Sequence, residues 1–263
     1  MTAEPVLDGR PLAPVLQLAN KVPEVTVYFW IIKVLTTGMG ETASDLLART
    51  LGPIPAVALG GLALAASLAV QFTLRRYVAW AYWTAVVMVS VFGTMAADVL
   101  HVGLGVPYAV STPAFLVVLA AVFALWYASE RTLSIHTIRT RRREAFYWAA
   151  VLATFALGTA TGDLTATVGF GYLGSVALFA AAICVPALAH RFGALGAVTA
   201  FWTAYVITRP LGASLADWMA LPHTRGGLAL GLAPVTLAWT VAIIGFVGYL
   251  AVSQRDRGAH AAS

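Results

Sequence analysis

The sequence predicts an all-α integral membrane protein with eight transmembrane helices, arranged as four tandem repeats of two helices each. The first observation is composition: 60% of the 263 residues are hydrophobic, 10% are charged, and the mean hydropathy is +0.84. A soluble protein of this length would lack the polar residues needed to cover its surface. The second observation is a series of eight apolar stretches, and the third is an internal repeat that combines these stretches in pairs.

Each apolar stretch is long enough to cross a hydrocarbon core of about 30 Å as a helix. The stretches cover residues 26–48, 54–74, 77–99, 112–129, 145–165, 168–189, 195–218 and 227–252. Most Lys and Arg residues between them fall on one side, against only Arg49 and Arg225 on the other. By the positive-inside rule, both termini are expected in the cytoplasm, with the chain as a multi-pass protein of the bacterial inner membrane.

The spans divide the chain into two similar halves, residues 25–130 and 145–252, each with two repeats. A polar N-terminal tail, residues 1–24, precedes them, and a C-terminal tail, residues 253–263, follows. Residues 131–144 between the halves are rich in Arg and are expected to form a solvated cytoplasmic loop rather than a nucleic-acid site.

One pattern recurs in every odd-numbered predicted helix: a Trp, a Gly ten residues later, and an Asp fifteen residues after the Trp. The four sets are Trp30, Gly40 and Asp45; Trp83, Gly93 and Asp98; Trp148, Gly158 and Asp163; and Trp202, Gly212 and Asp217. Each repeat has two spans, so all four enter the membrane in the same direction, and we expect a pseudo-symmetry axis along the membrane normal. The glycines are expected to allow close helix approach, and the tryptophans to form a belt at the membrane interface.

Four tracts carry a resemblance to a known family: KVPEVTVYFWIIKVLTTGMGETASD, FGTMAADVLH, LGTATGDLTA and RPLGASLADW. They resemble the bacterial membrane-anchored proteins made of four tandem "repeats of unknown function", each with two spans and a characteristic Trp. The resemblance covers roughly residues 21–252. It implies this architecture, and it implies no particular activity.

Polar residues lie on one face of each odd-numbered helix, at positions 3, 7, 11 and 15 after the Trp. An ionised group that faces lipid costs at least ~2.5 kcal/mol, so we expect these faces to line a central cavity open toward the periplasm. The cavity would contain five acids and two bases. They are Glu41, Asp45, Asp98, Asp163 and Asp217, with Lys33 and Arg209.

Carboxylates crowded in an apolar site either hold protons or bind a cation. The sequence therefore predicts a proton-coupled transporter of a divalent metal cation of the Mn²⁺, Mg²⁺ or Ca²⁺ type, with the five acids as its metal site. Hydroxyls of Thr37, Thr94 and Thr159 add oxygen ligands, and His101, just beyond Asp98, adds a nitrogen. Lys33 and Arg209 would modulate the charge or bind substrate, and no permanently bound cofactor is expected.

Two other functions remain open. Lys33 and Arg209 are also suited to bind a small organic anion, with the acids as proton relays. Alternatively, the acids cap helices in a membrane sensor or assembly protein that transports nothing. An enzyme is not expected, because the chain has no P-loop, HExxH or GxSxG motif. The expected partners are the lipid bilayer, a metal ion and protons, and a homo-oligomer remains open.

Overall fold

The computed structural model describes residues 6–7, 10–11 and 20–256, and this part of the chain is almost entirely helical. A two-residue antiparallel pairing of Val6–Leu7 with Arg10–Pro11 is its only β-structure. Much of the two predicted tails, residues 1–24 and 253–263, lies outside the described residues. The α-helical segments are α1 Val27–Leu51, α2 Pro53–Thr73, α3 Ala79–Asp98, α4 Tyr108–Glu130, α5 Arg141–Thr165, α6 Gly171–Arg191, α7 Ala197–Ala220 and α8 Leu232–Ser253.

The number of separate long helices differs from the prediction. α5 and α6 are joined by the π-helical turn Ala166–Phe170 into one kinked run, so the described residues contain seven long helical runs and not eight. The run bends at Gly169, whose φ of 114° and ψ of −5° are not helical. Glycine adopts this conformation without strain because it has no Cβ, so the chain changes direction here without a loop.

The four odd-numbered segments α1, α3, α5 and α7, called the inner helices below, form a closed ring. α1 packs against α3 and α7, and α5 packs against the same two neighbours. The outer helices α2, α4 and α6 each pack chiefly against the inner helix of the following repeat. α8 packs against α1 in the same way, so the last repeat closes the ring onto the first.

The recurrent glycines make this close packing possible. At each one, an added Cβ would overlap the side chain that lies seven positions after the Trp of the next inner helix. The expected close approach of the helices at these glycines is therefore confirmed, and the same contact is repeated four times around the ring. The pairs are Gly40 with Ser90, Gly93 with Phe155, Gly158 with Arg209, and Gly212 with Thr37.

A second cyclic contact joins the inner helices near their tryptophans, at what we call the Trp end of the ring. The aromatic residue before each Trp packs against the Trp of the next repeat. Trp83, Trp148 and Trp202 are at most 5% exposed, so an interfacial belt is wrong for these three; their large apolar rings are buried against one another instead. The centroid distances are 5.6 Å for Phe29–Trp83, 5.6 Å for Tyr82–Trp148, 6.1 Å for Tyr147–Trp202 and 5.7 Å for Phe201–Trp30.

Polar contacts beyond this aromatic layer seal the Trp end. The predicted basic loop, residues 131–144, is shorter than expected, because α5 already begins at Arg141. Glu144 is fully buried and not solvated: it accepts hydrogen bonds from Lys21 Nζ at 2.5 Å and from Gln71 Nε2 at 3.2 Å. A carboxyl group buried at such a position needs polar partners, and Lys21 and Gln71 supply them.

The outer surface of the bundle is apolar. Ile54, Leu62, Val117 and Val252 on the outer helices are between 68% and 86% exposed. Five helices in the described part of the chain are long and apolar enough to cross a membrane, with the α5–α6 run taken as one. α1 and α7 are not among them; both carry charged residues on their buried faces. This is the distribution expected for a membrane protein, in which the polar faces turn inward.

The glycine contacts generate a stability prediction. Gly212→Ala would place a methyl group within the volume of Thr37 and is expected to cost about 1–3 kcal/mol through overpacking. Gly245→Ala on α8, where nothing lies within 4 Å of the added Cβ, is the matched control and should not lower stability. Thermal unfolding of the purified variants in detergent measures both; equal midpoints would contradict the packing described here.

Candidate functional site

The stripes of polar residues predicted from the Trp register do face one another along the axis of the ring. Eleven positions after the Trp, side chains from three inner helices meet, and Arg209 reaches them from the fourth. We call this group the charged centre. It consists of Glu41 on α1, Thr94 on α3, Thr159 on α5 and Arg209 on α7.

Arg209 is fully buried, and its guanidinium joins all the members of the charged centre. It donates to Glu41 Oε2 at 3.0 Å, to Thr159 Oγ1 at 2.7 Å and to Thr94 Oγ1. A further bond of 3.1 Å goes to the backbone carbonyl of Thr37. Thr94 and Thr159 also donate to Glu41, at 3.3 and 3.4 Å. Glu41 is only 5% exposed and Arg209 is not exposed at all, so the two side chains form a buried, hydrogen-bonded ion pair.

The local sequence explains how the long Arg209 side chain enters the ring. Its Cβ and Cγ lie where a side chain at Gly158 would have to be, so α5 accepts it only because that position is glycine. The contact between Gly158 and Arg209 is the third in the cycle of four described above. The residues at the equivalent positions on the other inner helices, Thr37, Ser90 and Phe155, are all uncharged.

Four aspartates form a ring at the opposite end of the inner helices, which we call the Asp end. Asp217 is 7% exposed, whereas Asp45, Asp98 and Asp163 are half-buried. Asp217 is near enough to the other three aspartates and to Glu41 for their charges to act on it, so the five acids lie in one region of the ring. Asp45 also pairs with Arg49 on its own helix at 3.5 Å.

The acids share this space without forming a chelating cluster. Among the described residues, no group of three or more His, Cys, Asp or Glu side chains is close enough together to hold a metal ion. Glu41 is engaged by Arg209 and lies deeper in the ring than the aspartates. The sequence placed the acids on facing sides of the ring, and metal binding by them stays a prediction.

Lys33 lies between the charged centre and the Trp end. It is 1% exposed, and its Nζ has no hydrogen-bond partner in the described part of the chain. The ammonium position is 3.9 Å from the ring centroid of Phe155 and 4.2 Å from that of Tyr205. Arg209 lies over the same Phe155 ring at 5.0 Å, so this one ring has two cationic side chains near it.

Two of the predicted site residues serve mainly local structure. Thr37 contributes its carbonyl to Arg209, but its hydroxyl bonds to the carbonyl of Lys33 at 2.7 Å. His101 lies in the π-helical turn Val99–Gly103 after α3, where its Nδ1 contacts the Val106 carbonyl at 2.8 Å and its ring stacks on Tyr108. The structure does not bring His101 into the charged centre.

Sequence reasoning missed a group of tyrosines at the Trp end. The hydroxyls of Tyr82 and Tyr147 are 2.5 Å apart, and Tyr205 lies beside Tyr147. Tyr77 packs on Tyr82 and donates to the buried Asp256. One signal was available: an aromatic residue precedes all four repeat tryptophans. No sequence signal indicated the contact of Tyr77 with Asp256, because Asp256 comes after the last span.

The architecture is that of an all-α protein built from four similar helix pairs around a buried charged centre. The family model for Repeat of Unknown Function (DUF347) matches the chain four times, at residues 28–77, 81–132, 146–193 and 200–256, and the protein belongs to this family. The four matches coincide with the four helix pairs. No curated protein and no solved structure matches the chain.

Breaking the buried ion pair tests its energetics. Arg209→Met alone leaves the Glu41 carboxylate without its cation and is expected to cost about 3–5 kcal/mol, whereas the double variant Glu41→Met and Arg209→Met should recover most of that loss. Thermal unfolding in detergent of Glu41→Met, Arg209→Met and the double variant measures the coupling energy between the two side chains. Additive losses would show that the two side chains do not depend on each other.

Proposed function

We propose that the protein is a proton-coupled transporter of a divalent metal cation of the Mn²⁺, Mg²⁺ or Ca²⁺ type, with its path along the axis of the inner helices. In this proposal all eight segments span the bacterial inner membrane, the pseudo-symmetry axis is along the membrane normal, and both termini are cytoplasmic. The Asp end then faces the periplasm, where the acidic ring attracts cations.

The observation that carries the proposal is the buried pair of Glu41 and Arg209 on the ring axis. A buried ion pair is weak evidence for stability, since apolar residues of similar size serve as well or better. It is suited to a switch: a cation that reaches Glu41 replaces the guanidinium, and Arg209 moves away from it. The hydroxyls of Thr94 and Thr159 are then left to complete an oxygen-rich site.

The acidic ring favours a cation over the small organic anion that the two basic residues also allow. An anion entering from the Asp end would pass four carboxylates before it reached Arg209, and each of them repels it. Carboxylates supplied by four separate helices are also the ligands that hard divalent cations prefer. A sensor or assembly protein would need no such path.

Reconstitution into liposomes with an internal metal-sensitive dye tests the proposal. We expect wild-type protein to admit Mn²⁺ or Ca²⁺, and Glu41→Gln and Asp98→Asn to reduce the initial rate by about tenfold or more, in line with the loss of ligands in a buried site. Glu24→Gln is the matched control, because Glu24 is a half-buried acid at the Trp end and should leave the rate unchanged.

Two results would contradict this function. One is a wild-type rate equal to that of empty liposomes for every divalent cation tried, although size-exclusion chromatography shows that the protein is folded. The other is flux of a small carboxylate that is lost in Arg209→Gln while Glu41→Gln transports normally, which would assign the site to an organic anion.

A further inference from the structure

We propose that a groove on the outside of the ring, at the Trp end, binds one phospholipid with an anionic headgroup. The groove has a volume of about 660 Å³ and lies between the end of α6, the start of α7 and the segment that follows α4. This inference is independent of the transport function proposed above. The apolar walls include Ile183, Cys184, Pro186 and Ala187 on α6, and Ala200 and Phe201 on α7.

The groove is open because of the residue two positions before the Trp of the fourth repeat. In the first repeat this residue is Tyr28, whose ring centroid is 5.4 Å from that of Tyr249 on α8. In the third it is Phe146, which stacks on Trp126 of α4 at 6.4 Å. The second and fourth repeats have alanine there, and the alanine of the fourth, Ala200, lines the groove. A space that aromatic rings fill in two repeats is therefore left open between α6 and α7.

One of the repeat tryptophans is incompletely covered, and it lines this groove. Trp83, Trp148 and Trp202 are at most 5% exposed, whereas Trp30 is half-buried. Trp30 packs on Phe201 at 5.7 Å, and this is the aromatic contact that closes the ring between the fourth repeat and the first. Because a ligand in the groove covers both rings, its binding stabilises the closing contact.

The shape and surroundings of the groove suit an acyl chain. Its walls extend from Ile183 to His190 on α6 and from Ala197 to Ala204 on α7. At 1.5 Å of rise per residue, this is a length of about 10 Å along both helices. Val198 in the wall is 37% exposed, so the groove opens on the apolar outer surface of the bundle. In the proposed membrane arrangement a lipid chain enters it from the side, without crossing water.

The Trp end of the groove carries groups that bind phosphate. His190 lines it, and because its Nδ1 contacts the Leu195 carbonyl at 2.9 Å, its Nε2 is left for a ligand. Arg191 follows and is exposed. α7 begins at the same place, and no side chain in the described part of the chain caps its first N–H groups, whose partial positive charge also favours an anion. On the other wall, His136 and Glu24 lie 3.7 Å apart, so this acid already has a partner.

The charge of the surrounding surface favours an anionic headgroup over a zwitterionic one. Basic pockets between membrane helices near the cytoplasmic surface are typical binding sites for anionic lipids. A zwitterionic headgroup brings its own ammonium close to Arg191, and the repulsion reduces what its phosphate gains. Exposed arginines at the Trp end also attract anionic lipid to this side of the bundle; they are Arg75, Arg76, Arg131, Arg139, Arg141, Arg142, Arg191 and Arg255.

The first experiment uses Cys184, the only cysteine of the chain, which lies in the wall of the groove. Its rate of alkylation by N-ethylmaleimide is measured in detergent with added phosphatidylglycerol or phosphatidylcholine. Phosphatidylglycerol at about ten times its dissociation constant is expected to slow the reaction about tenfold, and phosphatidylcholine much less. Equal rates with the two lipids would overturn the proposal.

A relocated cysteine separates the groove from the rest of the lipid-facing surface. In the Cys184→Ser background, Leu125→Cys places a thiol on α4, at a position that is 63% exposed and outside the groove. The two lipids are expected to affect its alkylation equally. A preference for phosphatidylglycerol as large as that at Cys184 would show general coating of the bundle and no site.

Charge variants test recognition of the headgroup. The double variant His190→Gln and Arg191→Gln is expected to remove the difference between the two lipids at Cys184. The matched control is His223→Gln with Arg225→Gln at the Asp end, where His223 Nδ1 makes the same kind of contact with a backbone carbonyl, at 2.8 Å. The control should keep the preference; an unchanged preference in the His190 and Arg191 variant would contradict the assigned headgroup position.

A filled groove gives a thermodynamic readout. Phosphatidylglycerol is expected to raise the thermal unfolding midpoint of the wild type by about 3–5 °C relative to phosphatidylcholine. Ala200→Phe supplies the ring that the first and third repeats have, and it should abolish this difference. If that variant does not fold, the His190 and Arg191 variant still decides, since it should lose the same shift. Protection of Cys184 that needs no lipid and increases with protein concentration would assign the groove to a second copy of the chain and overturn the proposal.

Discussion

The guanidinium of Arg209 has no access to solvent, and the four inner helices must supply everything that compensates its charge. Glu41 comes from the first repeat, Thr94 and Thr159 from the second and third, and Arg209 from the fourth, so this contact is satisfied only when the ring is closed. The same closure places α8 against α1. Because an unpaired buried charge is costly, the ion pair selects the closed ring over arrangements in which the repeats pack as a row.

The repeats share a framework and differ where the chemistry lies. Trp, Gly and Asp recur at fixed positions in all four, and they produce the aromatic contacts, the glycine contacts and the acidic ring. Seven positions after the Trp, in contrast, the residues are Thr37, Ser90, Phe155 and Arg209. In the proposed function, the four acids at the Asp end attract an ion that enters along the axis, and the charged centre, which has one acid, would hold that ion in a single way. Duplication supplied the ring, and divergence of single positions supplied the charged centre.

The Trp register was enough to predict that polar stripes face a common axis, because lipid excludes charge from every other direction. It did not predict which polar groups pair: Arg209 reaches one turn beyond its own level, and a spacing rule gives no side-chain length or direction. The burial of Glu144 depends on Lys21, a contact between segments far apart in sequence that no local pattern indicates. The bend that joins α5 to α6 without a loop depends on Gly169, one of many glycines in the chain, and nothing in its neighbourhood distinguishes it.

The two ends of the ring are held together by different forces, and this difference gives the proposed transport a direction of opening. At the Trp end, four aromatic contacts, the Lys21–Glu144 pair and the Tyr77–Asp256 hydrogen bond all have to be broken before the inner helices separate. At the Asp end, the four aspartates lie near one another, and the ion pair of Asp45 with Arg49 is formed within α1 and does not join two inner helices. In the proposed transport, separation therefore begins at the Asp end at lower cost, and the charged centre is the first closed layer that an entering cation would meet.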